Sequence, residues 1–326
     1  MESIAHHSLN PLFQVSTPPF YHSPTMLILI AGITGTVGLP CAAYAITQGH
    51  RVRGIGRDPA KLPIPLRTQL ESFVTSSGIY DIPALDKAVA TVDAVICAYG
   101  YTPEVVVEGQ LLLLRAAERA GVKIFHAASW NYDWTRGQLG QHESYDPYIA
   151  FCAHVRISSR IKPLYMFTGI ITEWMFSNRR DKIWDREGKT LSYFGDGTET
   201  WICTTANDLA AYTVEAVSQP GAENGGFVRV ESFRYTPREL VRTYEEARKG
   251  AVKGNLKCGG SLGDVVEILR KARETTNSVD FEEYVGLSYV EHILKGTWNY
   301  EPVDNRRFAN VKVTTLQEYF EKHPEL

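Results

Sequence analysis

The sequence predicts an α/β fold: a Rossmann-type, doubly wound parallel sheet with a smaller mixed α/β lobe toward the C-terminus. Two observations predict it. The apolar segment 27–31 runs directly into a turn with glycines at positions 32, 35 and 38, and a helical segment follows. Short apolar strands then alternate with helical segments as far as about residue 170, which is the pattern of parallel βαβ units. The 326 residues suffice for one large α/β domain or two smaller ones.

The glycine-spaced turn predicts a dinucleotide site. Gly32 can make the tight turn, Gly35 lets the backbone approach a pyrophosphate, and Gly38 lets the helix pack closely on the strand. The helix, predicted over residues 39–48, offers amide groups and a positive dipole end to phosphates. We therefore expect the cofactor to contact the turn at Gly32, Thr34, Gly35, Thr36, Val37 and Gly38.

The second strand indicates which dinucleotide binds. This strand ends at Arg57, and Lys61 follows one turn later. An acidic residue at this place binds a free ribose 2′-hydroxyl, whereas an Arg accommodates a 2′-phosphate. We therefore predict NADP(H), held in part by Arg57 and Lys61, rather than NAD(H). Asp58 is open to two interpretations, because it can cap the next helix or bind the ribose.

The ends of two later strands add candidate cofactor contacts, because ligands bind at the carboxyl edge of an open parallel sheet. A fourth strand, predicted over residues 93–98, ends at Ala98, Tyr99 and Gly100. A fifth strand, predicted over residues 122–128, runs into Ser129 and Trp130. We expect these five residues to lie beside the cofactor.

The remaining elements are predicted from local patterns. Strands are expected at residues 72–75 and 164–169, and helices at residues 104–120 and 146–160. Asp81 is expected to cap a helix that carries a proline in its first turn, and a further helix is expected to begin at residues 206–208.

The loop after the fifth strand is dense in aromatic residues. Trp130, Tyr132 and Trp134 either form the wall of a substrate pocket or pack against the second lobe. Trp174 is a further candidate for the substrate site, with burial in the core as the alternative.

The pattern divides the chain into three parts. Residues 1–25, rich in Pro, Ser and His, are expected to be a poorly ordered N-terminal extension. Residues 26–165 are predicted to form the NADP-binding domain, to which residues 198–218 return. Residues 166–197 and 219–326 are predicted to form the substrate lobe.

Composition and charge exclude several classes of protein. A net charge of −3 gives no reason to expect a nucleic-acid partner, and no apolar run approaches the roughly 20 residues of a membrane span. The five cysteines are scattered, which favours free thiols over a zinc site or disulfides, and no metal is expected. The N-terminal segment lacks the features of a secretory or mitochondrial leader. We therefore expect a cytoplasmic protein, monomeric or homodimeric, that binds a small-molecule substrate.

Taken together, several segments resemble the NmrA-like proteins and their isoflavone reductase-like relatives, a branch of atypical short-chain dehydrogenases. The sequence is most similar in character to fungal members of this branch. The resemblance covers residues 26–326. It rests on the glycine turn with Arg57, residues 122–130, Asp146-Pro147-Tyr148, Thr168-Gly169, residues 205–209 and residues 312–319. It implies the fold and the NADP(H) cofactor. The activity stays open, since the family includes reductases, non-redox tailoring enzymes and redox-sensing regulators.

One departure from the family bears on mechanism. Reductases of this branch carry a Lys in a pattern like D-P-aromatic-x-x-aromatic-K, and the matching position here holds Cys152. The family Lys binds the nicotinamide ribose and lowers the pKa of a proton donor. An unperturbed thiol is neutral at pH 7 and cannot supply that charge. The usual arrangement for hydride transfer is therefore in doubt.

Four residues are candidates for catalysis. Tyr148 can donate a proton, with a core tyrosine as the alternative. Cys152 can act as a nucleophile or be an inert thiol. His142, beside Glu143, can be a general acid–base or a surface histidine. Glu173 can hold a substrate cation or act as a base, with a helix cap or salt bridge as the alternative.

The expected function is the NADPH-dependent reduction of a carbonyl, imine or enone in a bulky small molecule, a secondary metabolite by analogy with fungal relatives. Two alternatives stay open. The dinucleotide can be a structural element of a non-redox rearrangement or cyclisation enzyme, which the Cys at position 152 favours. The chain can instead be an NADP(H)-sensing regulator with a protein partner, which would lack an enclosed cavity.

Overall fold

A computed structural model describes residues 25–177 and 183–326. The predicted N-terminal extension lies outside the described residues, apart from Thr25. The strands in chain order are β1 (Leu27–Ala31), β2 (Arg51–Gly56), β3 (Ser72–Thr75), β4 (Ala94–Cys97), β5 (Ile124–His126), β6 (Leu164–Phe167), β7 (Ile170–Ile171), β8 (Trp184–Asp185), β9 (Thr190–Tyr193), β10 (Trp201–Thr204), β11 (Gly226–Arg229), β12 (Phe233–Tyr235) and β13 (Asn255–Cys258).

The helices flank these strands on both sides. They are α1 (Gly38–Thr47), α2 (Ile64–Arg67), α3 (Ile82–Val89), α4 (Gln110–Arg119), α5 (Asp146–Ser158), α6 (Thr172–Met175), α7 (Ala206–Ser218), α8 (Pro237–Ala247), α9 (Leu262–Thr275), α10 (Val285–Leu294) and α11 (Leu316–Lys322). Within the two described ranges, no helix has both the length and the apolar character needed to cross a bilayer.

Seven strands form one parallel sheet in the order β11-β6-β5-β4-β1-β2-β3. All five residues of β1 are buried, because both faces of the sheet are covered and its central strands read as continuous apolar runs. The Rossmann-type, doubly wound sheet predicted from the sequence is therefore confirmed.

Most predicted elements are present with shifted ends. Helix α1 begins one residue earlier than predicted, and β5 covers only the middle of its predicted strand. The Asp81 carboxylate accepts a hydrogen bond from the Ala84 amide and caps α3, as predicted. The helix predicted over residues 104–120 is not α-helical throughout, because it begins with a π-helical turn, Val105–Gly109, that leads into α4.

Two further three-stranded sheets lie outside the main sheet and form the smaller lobe. One sheet has the order β12-β10-β7, and the other has the order β13-β9-β8. Part of the predicted division needs correction. Residues 219–326 were assigned to this lobe, yet β11 lies within that segment and is the edge strand of the main sheet. Residues 198–218 were assigned to the NADP-binding domain, yet β10 pairs with β7 and β12 in the smaller lobe. The Phe227 ring of β11 stacks on Tyr165 and Phe167 of β6, which adds side-chain contacts to the backbone pairing.

Candidate functional site

A cavity of about 510 Å³ opens at the carboxyl edge of the main sheet. The loops that follow β1, β4 and β5 form one side of it, through residues 35–37, 98–101 and 128–132. Residues 169–171 and side chains of α6 and α10 close the other side. The predicted cofactor loops and most of the predicted aromatic wall therefore share one space.

Two glycines of the turn allow a close approach of backbone segments. Gly32 has φ +78°, and a Cβ on it would lie 2.2 Å from the Ala98 carbonyl oxygen. A Cβ on Gly38 would lie 2.3 Å from the Gly32 carbonyl oxygen. Any side chain at either position would push apart β1, α1 and the end of β4. These two glycines therefore shape the turn, and Gly35 lines the cavity.

The turn fits the phosphates of a dinucleotide. Thr34, Gly35 and Thr36 are exposed, and Thr36 and Val37 line the cavity with Gly35. Among the described residues, no side chain caps the N-terminus of α1. The first amide groups of the helix are therefore available to an anion, which also gains from the positive end of the helix dipole.

Arg57 and Lys61 are exposed beyond the end of β2 and do not line the cavity. Across residues 25–177 and 183–326, the Arg57 guanidinium makes no hydrogen bond or ion pair. Arg53, in contrast, is engaged by Glu71 at 3.1 Å. The Asp58 carboxylate accepts a hydrogen bond from the Ala60 amide at 2.8 Å, which is its capping interpretation. Arg57 is thus available to a phosphate.

Ala98, Tyr99, Gly100, Ser129 and Trp130 all line the cavity. The Ser129 hydroxyl donates to the Ala127 carbonyl at 3.0 Å and accepts from the Met166 amide at 2.8 Å. Those bonds join β5 to β6 and leave the hydroxyl little capacity for a ligand.

The Trp130 ring forms part of the wall while its indole N–H points away from the cavity. This N–H donates to the Thr213 hydroxyl at 2.9 Å, and the ring stacks on His126 with centroids 5.0 Å apart. The contacts hold the ring plane in place, so Trp130 offers the cavity an apolar face.

The other aromatic candidates divide between the cavity and the core. Tyr132, Tyr148 and Trp174 line the cavity. Trp134 does not, because its ring is buried edge-on against Tyr165 at 5.6 Å and also packs on Phe167. For Trp134 the structure matches packing rather than the expected pocket wall.

Tyr148 is the candidate proton donor that reaches the cavity. Burial raises the pKa of its phenol above the usual value, and the nearby Tyr289 raises it further. The Asn131 side chain interacts with the Tyr148 hydroxyl and opposes that shift. The phenol is therefore neutral at pH 7 and can donate a proton.

Cys152 is placed away from the cavity. It lies one helical turn beyond Tyr148 on α5, half-buried beside the Tyr165 hydroxyl, and it does not line the cavity. Burial raises the pKa of its thiol, so the thiolate required of a nucleophile is not formed at pH 7. The structure matches an inert thiol.

His142 is neither a surface residue nor a cavity residue. It is 3% exposed, and its two ring nitrogens have no hydrogen-bond partner within the described residues. Its ring packs between Tyr145 and Trp298, at 4.5 and 4.9 Å. Burial lowers the pKa of His142 to about 3, with a further decrease from His292. A neutral, enclosed imidazole cannot exchange protons with a ligand in the cavity.

Glu173 acts at the start of α7. Its carboxylate accepts a hydrogen bond from the Ala206 amide at 2.8 Å, and burial raises the pKa of the carboxyl group. It does not line the cavity. The structure therefore matches the capping alternative rather than a role as base.

Several cavity residues were missed from the sequence. The main group lies on α10, where Val285, Tyr289 and Ile293 recur every four residues and face the cavity. That spacing indicates one face of a helix, but nothing local tells which element covers the face. Asn131 and Ser144, which also line the cavity, lie in loops without periodicity.

Comparisons with known proteins agree with this geometry. The model of the NmrA-like family matches residues 24–319. An isoflavone reductase from Glycine max is 25% identical over 334 residues, which is 90% of this chain and 96% of that protein. The oxidoreductase PoxI from Penicillium oxalicum is 27% identical over 221 residues, which is 64% of each protein.

Solved structures share the fold. A structure of AtPrR2 with NADP+ and (+)-pinoresinol aligns with a TM-score of 0.72 at 21% identity, covering 91% of this chain and 98% of that one. A binary complex of leucoanthocyanidin reductase and NADPH from Vitis vinifera aligns with a TM-score of 0.73 at 19% identity, covering 91% and 99%. The nucleotides in both complexes are of the cofactor class that the sequence predicts.

Proposed function

We propose that this chain, which belongs to the NmrA-like family, is an NADP(H)-dependent oxidoreductase that reduces a carbonyl, imine or enone in a bulky, ring-bearing small molecule. The observation that carries the proposal is the continuity of the cavity. One space of about 510 Å³ runs from the uncapped turn at Gly35 to the aromatic wall formed by Trp130, Tyr148 and Trp174. A dinucleotide on the turn and an aromatic substrate on the wall would meet there.

Each end of the cofactor has candidate partners. The turn from Gly32 to Gly38 would hold the pyrophosphate, and Arg57 with Lys61 would hold the 2′-phosphate on the protein surface. Residues 98–100 and 129–130, which line the cavity, would flank the nicotinamide end. This arrangement is supported by the exposure of Arg57, which has no hydrogen-bond or ion-pair partner among the described residues, and by the NADP+ and NADPH complexes of proteins with the same fold.

The residues of the chain would bind the substrate, exclude water from it and donate a proton to it. Bound NADPH supplies a hydride from C4 of its nicotinamide. Trp130 and Trp174 present apolar surfaces to the substrate ring and exclude water. Tyr148 would donate its proton to the substrate oxygen once hydride has reached the carbon, and the phenolate would regain a proton from solvent. The Lys that usually assists is absent, so Tyr148 acts without an adjacent positive charge from position 152.

The test is isotopic. The protein is incubated with aryl ketones and enones, 2-acetylnaphthalene among them, and with NADPH deuterated at C4 on either face. We expect deuterium at the reduced carbon from one of the two cofactors. Product without deuterium, with cofactor recovered unchanged, would mean non-redox rearrangement. The cavity, which joins the turn to the aromatic wall, favours an enzyme over a regulator without enzymatic activity. The reductases among the relatives favour hydride transfer.

A further inference from the structure

One wall of the cavity carries a cluster of four polar side chains. Asn131, Ser144, Tyr148 and Tyr289 all line it there, from the loop after β5, the start of α5 and α10. The surfaces around them are mostly aromatic and aliphatic side chains. This wall therefore offers several hydrogen-bonding groups to a polar function of a ligand.

The hydroxyl of Tyr289 is oriented by its neighbours. It lies 3.2 Å from the Ser144 hydroxyl oxygen and donates to the Asn131 amide oxygen at 3.4 Å. The second distance is at the long end for a hydrogen bond, so the proton is weakly held. Ser144 can donate into the phenol oxygen while the phenol proton turns to a ligand.

The ring of Tyr289 is fixed by packing outside the cavity. Its centroid lies 4.7 Å from that of His142, 5.5 Å from Tyr145 and 6.0 Å from Trp298. These three ring contacts leave the Tyr289 side chain little rotamer freedom. The hydroxyl is therefore positioned before any ligand arrives, which lowers the entropy cost of binding.

Tyr148 and Tyr289 approach the same amide from different elements. The Asn131 side chain interacts with the Tyr148 hydroxyl and accepts from Tyr289. Burial raises the pKa of both phenols, so both are neutral donors at pH 7. Both hydroxyls therefore lie beside the same amide at the cavity wall, and the two lone pairs of a carbonyl oxygen can accept from two such donors.

We propose that Tyr289 is a specificity-determining residue that binds the acceptor oxygen of the substrate opposite Tyr148, so that the cavity selects ring-bearing molecules with a carbonyl group. This assignment rests on the proposed reductase function. It places one of the two oxygen ligands on α10, in the smaller lobe, and so makes the docking of that lobe part of substrate recognition.

The test compares two probes that differ in one carbonyl, 2-acetylnaphthalene and 2-ethylnaphthalene. Binding is followed by quenching of tryptophan fluorescence, since Trp130, Trp174 and Trp201 line the cavity. One neutral hydrogen bond corresponds to a preference of about 3- to 10-fold. We expect the wild type to prefer the ketone, and Tyr289→Phe to lose about that factor for the ketone alone. Ser144→Ala should lose less.

The matched control is Tyr284→Phe, because Tyr284 directly precedes α10 and does not line the cavity. It should keep the ketone preference. An unchanged preference in Tyr289→Phe overturns the assignment, as does a wild type that binds neither probe or binds both equally. NADPH affinity is measured in parallel by calorimetry. If NADPH does not bind while Tyr289→Phe still loses the ketone preference, the reductase proposal fails and the role of Tyr289 stands.

Discussion

Replacing Arg57 by Ala tests the choice of cofactor. Arg57 is exposed beyond β2 and has no competing partner in the described parts of the chain. Its guanidinium can therefore turn to a 2′-phosphate without breaking an existing bond. NADH lacks that phosphate, so the substitution should weaken NADPH binding and leave NADH binding nearly unchanged.

The magnitude follows from the exposure of the site. A hydrogen bond to a charged group contributes about 1.5–3 kcal/mol, which corresponds to about 10- to 100-fold in affinity. Water and salt screen a contact at the surface, so the lower end of that range applies at physiological ionic strength. The loss should grow toward the upper end as salt is reduced.

Calorimetric titration of wild type and variant with NADPH and NADH measures all four affinities. Arg67→Ala is the matched control, because Arg67 is an exposed arginine on the neighbouring helix α2 and lies outside the predicted site. The reasoning is refuted if the wild type binds both nucleotides equally, or if Arg57→Ala weakens NADH as much as NADPH.

Three further predictions address the glycine turn, the position of the missing lysine and the buried His142. Gly35→Val should abolish thermal stabilisation by NADPH with little change in the melting temperature of the free protein, because the added side chain enters the cavity and its Cβ lies 3.3 Å from the Gly32 oxygen; normal stabilisation would contradict the assigned site. Cys152→Lys should preserve or raise the rate of hydride transfer by restoring a charge near Tyr148, and a loss of turnover with normal NADPH binding would count against that role. Burial lowers the pKa of His142 to about 3, below the usual value of about 6.5. Between these two pH values, the unfolded state therefore binds a proton that the folded state does not bind. The free energy of unfolding should therefore fall by as much as about 1.4 kcal/mol per pH unit from this residue as the pH drops below 6.5. Urea unfolding at several pH values gives the free energy of unfolding as a function of pH. This free energy should fall less steeply with decreasing pH in His142→Gln than in the wild type, and an identical pH dependence would disprove the linkage.

What could be predicted from the sequence was mostly local. The strand, turn and helix from Leu27 to Thr47 follow from an apolar run and the spacing of three glycines. The position of the cavity at the carboxyl edge of the sheet could also be predicted, since parallel strands end on the same side of a sheet. The neighbours of Gly38 are residues of the turn itself, which the glycine spacing predicts. The close approach of Gly32 to Ala98 at the end of β4 joins segments that are distant in the sequence.

The remaining features depend on contacts between distant segments. Strand β11 pairs with β6 across about 60 residues, and its four residues have no pattern that distinguishes the main sheet from the smaller lobe. The loop containing Trp130 and Trp134 has no regular period, so its sequence cannot tell which ring faces the cavity. His142 looks like a loop residue until α10 and Trp298 cover it.

The loss of the usual Lys changes the energetics of the proposed reaction without removing its driving force. Cys152 is half-buried and carries a neutral thiol, and the cavity wall offers neutral phenols instead of an ammonium group. A phenol with a raised pKa is a weak donor to a ketone. Once hydride reaches the carbonyl carbon, however, the oxygen becomes an alkoxide, which is a stronger base than a phenolate. Proton transfer from Tyr148 is then favourable in that product state, although it gives less help earlier in the transition state. The replacement at position 152 should therefore slow reduction rather than prevent it, and a second donor at Tyr289 would matter most where the charge on oxygen is only partly developed.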